Sequence, residues 1–291
     1  MSGARLCDAP ARRADTWAGF FFPLHRPTIL FLSSQRTHDE RILKDPAMPH
    51  FSVAAASSGA SVLPGIRCQT PWRGLERVDL DPGQRAGGAP ACEEGWILLE
   101  GAVDLVPVAA PDAPAYESAA GPAALLSGGG IGVRATAPSS LLYAPVGLAP
   151  TDRIPQARAS AVDAALLHWR DAIHGGCGRI AARHIWERDE FSGPWTFIDH
   201  AVLAAGSSVG YHYHDFMEEC FVVLGGTGLM TVDDKTFAVG PGSVTWQGIG
   251  QDHGIYNPGP GELDFLRLAV AQPGSAFTTI DRHDDLRARH P

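Results

Sequence analysis

Lysine is almost absent from this sequence, and so are the cysteine patterns that stabilise small secreted domains or bind zinc. The 291 residues include only two lysines, Lys44 and Lys235, and no Gly-x4-Gly-Lys-Ser/Thr segment. Lys235 falls in a predicted hairpin turn, which argues against Schiff-base chemistry, and the missing segment excludes a P-loop nucleotide site. The five cysteines form no Cys-x-x-Cys pair. This pattern disfavours a disulfide framework or a zinc knuckle and fits a reducing cytoplasm.

Long apolar runs and an excess of positive charge are missing as well. No uninterrupted apolar stretch reaches the roughly 18 residues that a membrane-spanning helix needs. The net charge of −9 disfavours a surface that binds nucleic acid. Hydrophobic residues nevertheless make up 45% of the chain, so a packed core is expected. The 33 glycines and 23 prolines follow no period, which favours many turns between short strands.

Composition and periodicity divide the chain into five segments. Short apolar runs that alternate with Gly/Pro turns predict β-strands in two of them, and the second is the more regular. The first segment has no sustained period, and we expect a flexible leader, or the product of an over-extended start that precedes Met48. The segments are the leader (1–60), a first β domain (61–149), a linker (150–178), a second β domain (179–275) and a charged, loose tail (276–291).

The linker contains a predicted amphipathic α-helix from Ser160 to Ile173. Apolar residues recur there at helical spacing around Trp169, and Gly175 follows the last of them. Ser160 is a suitable N-cap, and Asp163 would lie in the first turn. An apolar stripe of this kind needs a partner surface, so we expect Trp169 to be buried between the two β domains or in a dimer interface.

Two histidines separated by a single residue lie in a predicted strand of the second domain. Because side chains alternate along a strand, His212 and His214 project to the same side and form a clamp for a metal ion. A carboxylate, Glu218 or Glu219, opens the next strand, and His253 follows in a glycine-rich stretch. The alternative is a set of structural histidines satisfied by hydrogen bonds. The convergence of three imidazoles and a carboxylate in an apolar domain favours a metal site.

This arrangement resembles the cupin superfamily. The first cupin motif, Gly-x5-His-x-His-x(3,4)-Glu-x6-Gly, matches from Gly206 to Gly226. The second, Gly-x5-Pro-x-Gly-x2-His-x3-Asn, matches from Gly242 to Asn257, with Gly248 in place of the proline. The resemblance implies a jelly-roll β-barrel that binds a metal ion. The four ligands that it implies are His212, His214, Glu219 and His253. Glu219 is preferred to Glu218 because six residues then separate it from the final glycine of the first motif.

The first half of the chain repeats part of this spacing without the ligands. A shift of 125 residues takes Glu219 onto Glu94, and one of 123 residues brings Ala89 and Ala91 to the two histidine positions. A shift of 121 residues places Gly132 at the position of His253. We therefore expect a degenerate cupin barrel that acts by packing. The alternative is an unrelated β domain.

The predicted fold is therefore all-β, with two tandem cupin barrels, a short linking α-helix and one divalent metal ion. Three imidazoles and one carboxylate leave two adjacent positions of an octahedral ion open. With Fe²⁺, the ion that we favour, the resemblance implies a non-haem dioxygenase that acts on a small, anionic organic molecule. Mn²⁺, Ni²⁺ or Zn²⁺ would instead support a Lewis-acid isomerase, lyase or hydrolase, in the layout of ureidoglycine aminohydrolases. A small-molecule-binding cupin without activity is the third interpretation.

Three further residues are candidates for binding the substrate. Arg267 lies among apolar residues in the last predicted strand and is a candidate anchor for an anion. Trp246 and Tyr256 are expected to line the barrel or to brace a ligand. For partners we expect a small-molecule substrate and a homodimer, with no nucleic acid or membrane, in the cytoplasm.

Overall fold

The computed structural model describes residues 49–110 and 112–289. The leader up to residue 48, and with it the question of the start at Met48, lies outside the described residues. The part that is described is a single compact unit built from strands and short 3-10 turns. No helix in that part is long and apolar enough to cross a membrane.

Twenty-one strands follow one another along the described chain, and every strand pair is antiparallel. The first ten are β1 (His50–Ser52), β2 (Glu76–Leu80), β3 (Arg85–Gly87), β4 (Cys92–Glu100), β5 (Ala102–Pro107), β6 (Glu117–Ala120), β7 (Ala123–Gly128), β8 (Ile131–Ala135), β9 (Ser139–Gly147) and β10 (Arg158–Ala161). The others are β11 (His168–Asp171), β12 (Arg179–Glu187), β13 (Trp195–Leu203), β14 (Ser208–His214), β15 (Met217–Gly225), β16 (Gly228–Val232), β17 (Lys235–Val239), β18 (Ser243–Gln247), β19 (His253–Tyr256), β20 (Leu263–Ala271) and β21 (Thr279–Asp281). Three 3-10 turns span Val53–Ala55, Ala164–Leu166 and Leu286–Ala288.

The strands form two barrels. A nine-stranded sheet makes the first, in the order β2-β9-β4-β7-β8-β5-β6, with β10 paired to β7 and β3 paired to β8. The second barrel consists of a seven-stranded sheet, β1-β18-β15-β20-β13-β12-β11, and a five-stranded sheet, β17-β16-β19-β14-β21. Each barrel has its own apolar interior. The predicted all-β fold with two jelly-roll barrels is confirmed.

The predicted linking helix is wrong. The segment instead forms β10, a 3-10 turn over Ala164–Leu166 and β11, and no α-helix occurs among the described residues. Asp163 caps that turn by accepting a hydrogen bond from the backbone N–H of Ala165 at 2.8 Å. A short helix gains little stability without tertiary packing, and here the backbone pairs with the edges of both barrels. Trp169 is 42% exposed, so its predicted burial between the two β domains is wrong as well, and its burial in a dimer interface stays a prediction.

A third apolar cluster joins the two barrels. It takes residues from the outward face of β4, β7 and β9 and from the facing side of β13, β15, β18 and β20. Trp72 lies at its centre, with its ring centroid 4.7 Å from that of Trp246 and 5.6 Å from that of Trp195. Since Trp72 and Trp195 are both almost fully buried, the barrels share a dry apolar interface in addition to their own interiors.

Both ends of the described chain pack against the second barrel. Residues 50–52, which were expected to belong to the leader, form β1 and pair with β18. Residues 279–281, in the tail expected to be loose, form β21 and pair with β14. The tail is ordered by its charges, because the guanidinium groups of Arg282 and Arg289 lie over the rings of Tyr213 and Tyr211.

Two buried carboxylates hold the barrels together in a reciprocal way. Glu218 of the second barrel accepts hydrogen bonds from the backbone N–H groups of Gln69 and Thr70, at 2.8 and 3.0 Å, and from the Thr70 hydroxyl. Glu93 of the first barrel accepts hydrogen bonds from the backbone N–H groups of Ser192 and Gly193. The two glutamates are related by the same 125-residue shift as Glu94 and Glu219. Glu218 of the second barrel thus holds the segment that leads into β2 of the first barrel. Glu93 of the first barrel holds the loop between β12 and β13 of the second.

Candidate metal centre

Two paired strands of the five-stranded sheet and one strand of the seven-stranded sheet bring the four predicted ligands together inside the second barrel. His212 and His214 lie on one face of β14, Glu219 lies on β15, and His253 is the first residue of β19. His212 and His253 are directly opposite each other in the β14/β19 ladder. All four side chains are buried inside the barrel, as the alternation of side chains along a strand requires.

The backbone fixes the orientation of the three imidazoles. The Nδ1 atom of His212 lies 2.8 Å from the carbonyl oxygen of Gly210, and that of His253 lies 3.0 Å from the carbonyl oxygen of Gln251. The Nδ1 atom of His214 lies 3.3 Å from the carbonyl oxygen of Thr278. A carbonyl oxygen can only accept, so Nδ1 of His212 carries the proton and its Nε2 presents a lone pair to the barrel interior, as a metal ligand requires. His253 has the same contact at Nδ1, and its Nε2 lies 3.0 Å from Oε2 of Glu219. Nδ1 of His214 also lies 3.2 Å from the hydroxyl group of Thr279, which can donate or accept.

The atoms that face the interior fit a divalent cation. One potential ligand atom from each of the four side chains lies within 4.8 Å of the others, and this is the one group of at least three such residues among those described. Nε2 of His212 and His214 and Oε1 of Glu219 have no hydrogen-bond partner in the described part of the chain, although they are buried. Unpartnered buried polar atoms are costly, and a bound cation would satisfy the two imidazole nitrogens together, whereas Oε1 of Glu219 faces the guanidinium group of Arg267.

The electrostatics keep the ligands in the forms that bind metal. Burial alone would raise the pKa of Glu219, but the imidazoles of His214 and His253 and the guanidinium of Arg267 hold it well below its usual range. Burial, reinforced by the neighbouring histidines, holds the pKa of His212 well below that of a free imidazole. The site therefore offers an ionised carboxylate beside a neutral imidazole.

A fourth histidine at this site, His174, was missed by the sequence analysis. Its ring centroid lies 4.2 Å from that of His212, and it has a positive φ of 54°. The carbonyl group of His174 lies so close to Gly210 that a Cβ there would come within 1.7 Å of its oxygen. Burial is the main cause that lowers the pKa of His174 to about 3. Only the glycines around it, at 175 and 176, signal a turn, and nothing in the sequence says that this turn reaches the histidines.

The three predicted substrate residues occupy different places. Arg267 lies inside the barrel, with Nη1 3.6 Å from Oε1 of Glu219. Trp246 lies on the opposite face of β18, in the cluster between the barrels. Tyr256 follows Ile255, which packs in the barrel core, and so projects to the other face of β19. The fold therefore brings Arg267, but neither Trp246 nor Tyr256, to the four ligands.

Two further charged residues, Asp199 and His184, lie on the same inner face and were not singled out as site residues. Asp199 is directly opposite Arg267 in the ladder between β13 and β20, and it is opposite His184 in the ladder between β12 and β13. The nearest side-chain atoms are 2.5 Å apart in the Asp199–Arg267 pair and also in the Asp199–His184 pair. Strand patterns do not predict which residues face each other across a sheet, so no sequence signal marks this group.

In the first barrel, hydrogen bonds from the protein take the place of a metal ion. Glu94 accepts hydrogen bonds from the backbone N–H groups of Gly88 and Ala89 and from the hydroxyl groups of Ser127 and Tyr143, at 2.8 to 3.1 Å. Trp96 stacks on the Tyr143 ring, with centroids 4.3 Å apart. Both carboxylate oxygens are thus satisfied, and aromatic rings occupy the interior.

In the first barrel, the strand pairing shows that the residue corresponding to His212 lies two positions before the one expected from the sequence. Ala89 was expected at the position of His212, but it follows the end of β3. Gly132, the counterpart of His253, is opposite Gly87. Gly87 is therefore the equivalent of His212, and a Cβ there would lie 2.4 Å from the Trp96 ring. The prediction that this barrel keeps no histidine ligand is consistent with either register.

The contact between His184 and Asp199 predicts a pH-dependent stability. The hydrogen bond to Asp199 raises the pKa of His184, and Glu187 adds to this, whereas burial and Arg267 oppose it. The folded state then binds the proton more tightly than the unfolded state. The stabilisation is fully present below the usual imidazole pKa of about 6.5 and is lost as the pH rises through the raised value. We expect His184→Asn to lower the melting temperature more at about pH 5.5 than at about pH 8.5. An equal loss at both pH values in thermal unfolding would contradict this.

Comparisons with known proteins agree with this geometry. The family model described as "Cupin domain" matches residues 199–270, a range that contains all four predicted ligands. The oxalate-binding protein of Thermotoga maritima is 28% identical over 98 residues, which are 34% of this chain and 81% of that protein.

Solved structures match a larger part of the chain. One structure of Bacillus subtilis oxalate decarboxylase, from a study of its Mn(II) centres, superposes with a TM-score of 0.55 at 13% identity, over 79% of this chain and 78% of that one. Another, determined at pH 4.6, gives a TM-score of 0.52 with the same coverage and identity. At this identity the likeness shows the two-barrel fold alone. None of these matches is named as a dioxygenase, so the iron dioxygenase that we favoured from the sequence has no support from them.

Proposed function

Because the chain belongs to the cupin superfamily and has two barrels of which one presents four convergent ligands, we propose that it is a metal-dependent enzyme of the lyase class that acts on a small carboxylate anion. The observation that carries the proposal is the pair of buried, unpartnered Nε2 atoms of His212 and His214, which converge with Glu219 and His253. These four residues would hold the ion.

Mn²⁺ is the ion that we propose first. Three imidazoles and a carboxylate also suit Fe²⁺, Ni²⁺ and Zn²⁺, and the donor set does not separate them. The Mn(II) centres named for the oxalate decarboxylase of similar fold support manganese over the iron favoured from the sequence. A divalent ion at this position would act as a Lewis acid on a bound carboxylate.

The charge of the site supports an anionic substrate. Glu219 and Asp199 each carry one negative charge, Arg267 carries one positive charge, and the imidazole of His212 is held neutral. A divalent cation would leave the site with a net positive charge in a buried, low-dielectric barrel, where charges interact strongly. A small carboxylate could restore neutrality. The relative named as an oxalate-binding protein supports a dicarboxylate of this size.

Carboxylate binding without turnover is the second candidate. The name of that same relative, which states binding and no reaction, favours it. The two candidates share the metal site and the anion, and they differ only in whether a bond in the ligand is broken.

One experiment separates these functions. The full chain would be stripped of metal, loaded with Mn²⁺ and incubated with oxalate, with His212→Ala prepared in parallel. We expect hydrogen oxalate to yield one formate and one CO₂, measured by NMR and by CO₂ release. Oxalate binding in calorimetry without these products would support the second candidate. Consumption of O₂ in proportion to substrate would instead support the dioxygenase, and a wild-type chain that holds no metal would refute all three.

A further inference from the structure

Four charged side chains form a row across the inner face of the seven-stranded sheet. They lie on the adjacent strands β15, β20, β13 and β12, and in that order they are Glu219, Arg267, Asp199 and His184. Glu219, Arg267 and Asp199 are at most 5% exposed, whereas the side chain of His184 is 31% exposed. The row therefore starts at a predicted metal ligand and ends at a partly exposed imidazole.

The two oxygens of Glu219 face different partners. Oε2 lies 3.0 Å from Nε2 of His253 and 3.4 Å from Nε2 of His214, so it faces the other predicted ligands. Oε1 lies 3.6 Å from Nη1 of Arg267. This is an ion-pair distance, longer than a hydrogen bond, so the guanidinium group attracts Oε1 by its charge while Oε2 stays among the imidazoles, and this attraction favours the observed rotation of the carboxylate.

Arg267 is itself held in place. Its Nη2 atom lies 2.5 Å from Oδ2 of Asp199, and its guanidinium carbon lies 5.0 Å from the centre of the Phe197 ring. The second oxygen of Asp199, Oδ1, lies 2.5 Å from Nδ1 of His184. Burial would lower the pKa of Arg267, but Asp199 and Glu219 raise it, so the guanidinium stays charged. Two carboxylates thus already share the one positive charge that was expected to anchor a substrate.

From this geometry we propose that Arg267 and Asp199 are positioning residues that hold Glu219 in the orientation for metal binding, and that Arg267 does not anchor the substrate anion. The proposal rests on the proposed function to the extent that the cluster binds a divalent ion. Residues that orient a metal ligand from outside typically change metal affinity about 10- to 100-fold when they are removed. Arg267 and Asp199, which would have that role here, lie on β20 and β13, two strands that carry no predicted ligand.

The test is a Mn²⁺ titration of the metal-free full chain, followed by electron paramagnetic resonance. We expect Arg267→Met to raise the Kd for Mn²⁺ about 10- to 100-fold and to change the zero-field splitting of the bound ion. Arg267→Lys keeps the charge but loses the planar fork, so it should recover only part of the affinity. Asp199→Asn should weaken binding in the same direction. Arg179→Met is the matched control, because Arg179 is exposed on β12 of the same sheet.

The possible results are distinguishable. If folded Asp199→Asn and Arg267→Lys both bound Mn²⁺ with the wild-type Kd and the wild-type spectrum, the positioning role would be wrong, whatever Arg267→Met did to folding. Normal Mn²⁺ binding in these variants together with a loss of oxalate affinity would identify Arg267 as the substrate anchor. A wild-type chain that bound no Mn²⁺ would refute the proposed function and this inference with it. A wild-type chain that bound Mn²⁺ without converting oxalate would refute only the enzymatic function.

Discussion

Replacing His212 by alanine is expected to remove almost all metal binding. His212 lies opposite His253 in the ladder, and its Nε2 is one of the buried atoms that have no hydrogen-bond partner in the described part of the chain. Three ligands in a buried site bind a divalent ion much less tightly than four, and we expect the Kd to rise at least about 100-fold. Elemental analysis should give about one metal ion per wild-type chain and close to none for the variant.

A matched control is available in the same barrel. His168 lies on the exposed edge strand β11, so His168→Ala should keep the metal content of the wild type. Two tightly held ions per wild-type chain would contradict the assignment of a single site. Retention of one ion by His212→Ala would contradict the ligand set.

Replacing Glu218 by alanine is expected to destabilise the protein while leaving the metal site able to bind. Glu218 and Glu219 are neighbours on one strand and so face opposite sides: Glu219 faces the imidazoles, and Glu218 accepts three hydrogen bonds from Gln69 and Thr70. Removing the carboxylate leaves the N–H and hydroxyl donors of Thr70 buried without this acceptor and the N–H group of Gln69 partly buried. We expect the free energy of unfolding to fall by about 3 kcal/mol, measured by denaturant titration.

Two comparisons make this result specific. Glu93→Ala removes the reciprocal contact in the first barrel and should have a similar effect, whereas Glu117→Ala, on the exposed strand β6, should have almost none. Glu219→Gln should show the opposite pattern, with weakened metal binding and a smaller change in stability. If Glu218→Ala lost the metal and Glu219→Gln kept it, the two glutamates would have been assigned the wrong way round.

The strands were predictable from local patterns, and the barrels and the four convergent residues were predictable because the spacing of two segments resembles the cupin motifs. Side-chain alternation along a strand places His212 and His214 on one face, whatever lies around them. The glycine spacing of the first motif favoured Glu219 over Glu218 as the ligand. In the structure the two side chains point in opposite directions, which agrees with that choice. The absence of histidine from the first barrel was equally plain, because it depends only on which residues are present.

The helix predicted from Ser160 to Ile173 shows why local patterns were insufficient in the linker. Apolar spacing describes what a segment could bury, but the partner surface decides whether it does so. In the structure the backbone of residues 158–161 pairs with β7, and that of residues 168–171 pairs with β12. These strand pairs provide hydrogen-bond partners for the backbone at an edge of each barrel, and Trp169 stays exposed.

By itself, the sequence determined that this protein is an all-β chain of two barrels, with three histidines and a glutamate that can meet inside the second. Strand patterns together with the resemblance of two segments to the cupin motifs are enough for that. The tertiary structure alone decided that Arg267 faces Glu219 and Asp199, that His174 reaches His212, and that Glu218 and Glu93 join the barrels. These contacts depend on the register of strands far apart in the chain and on loops that cross from one barrel to the other. Neither the register of distant strands nor the path of these loops produces a periodic pattern in the sequence.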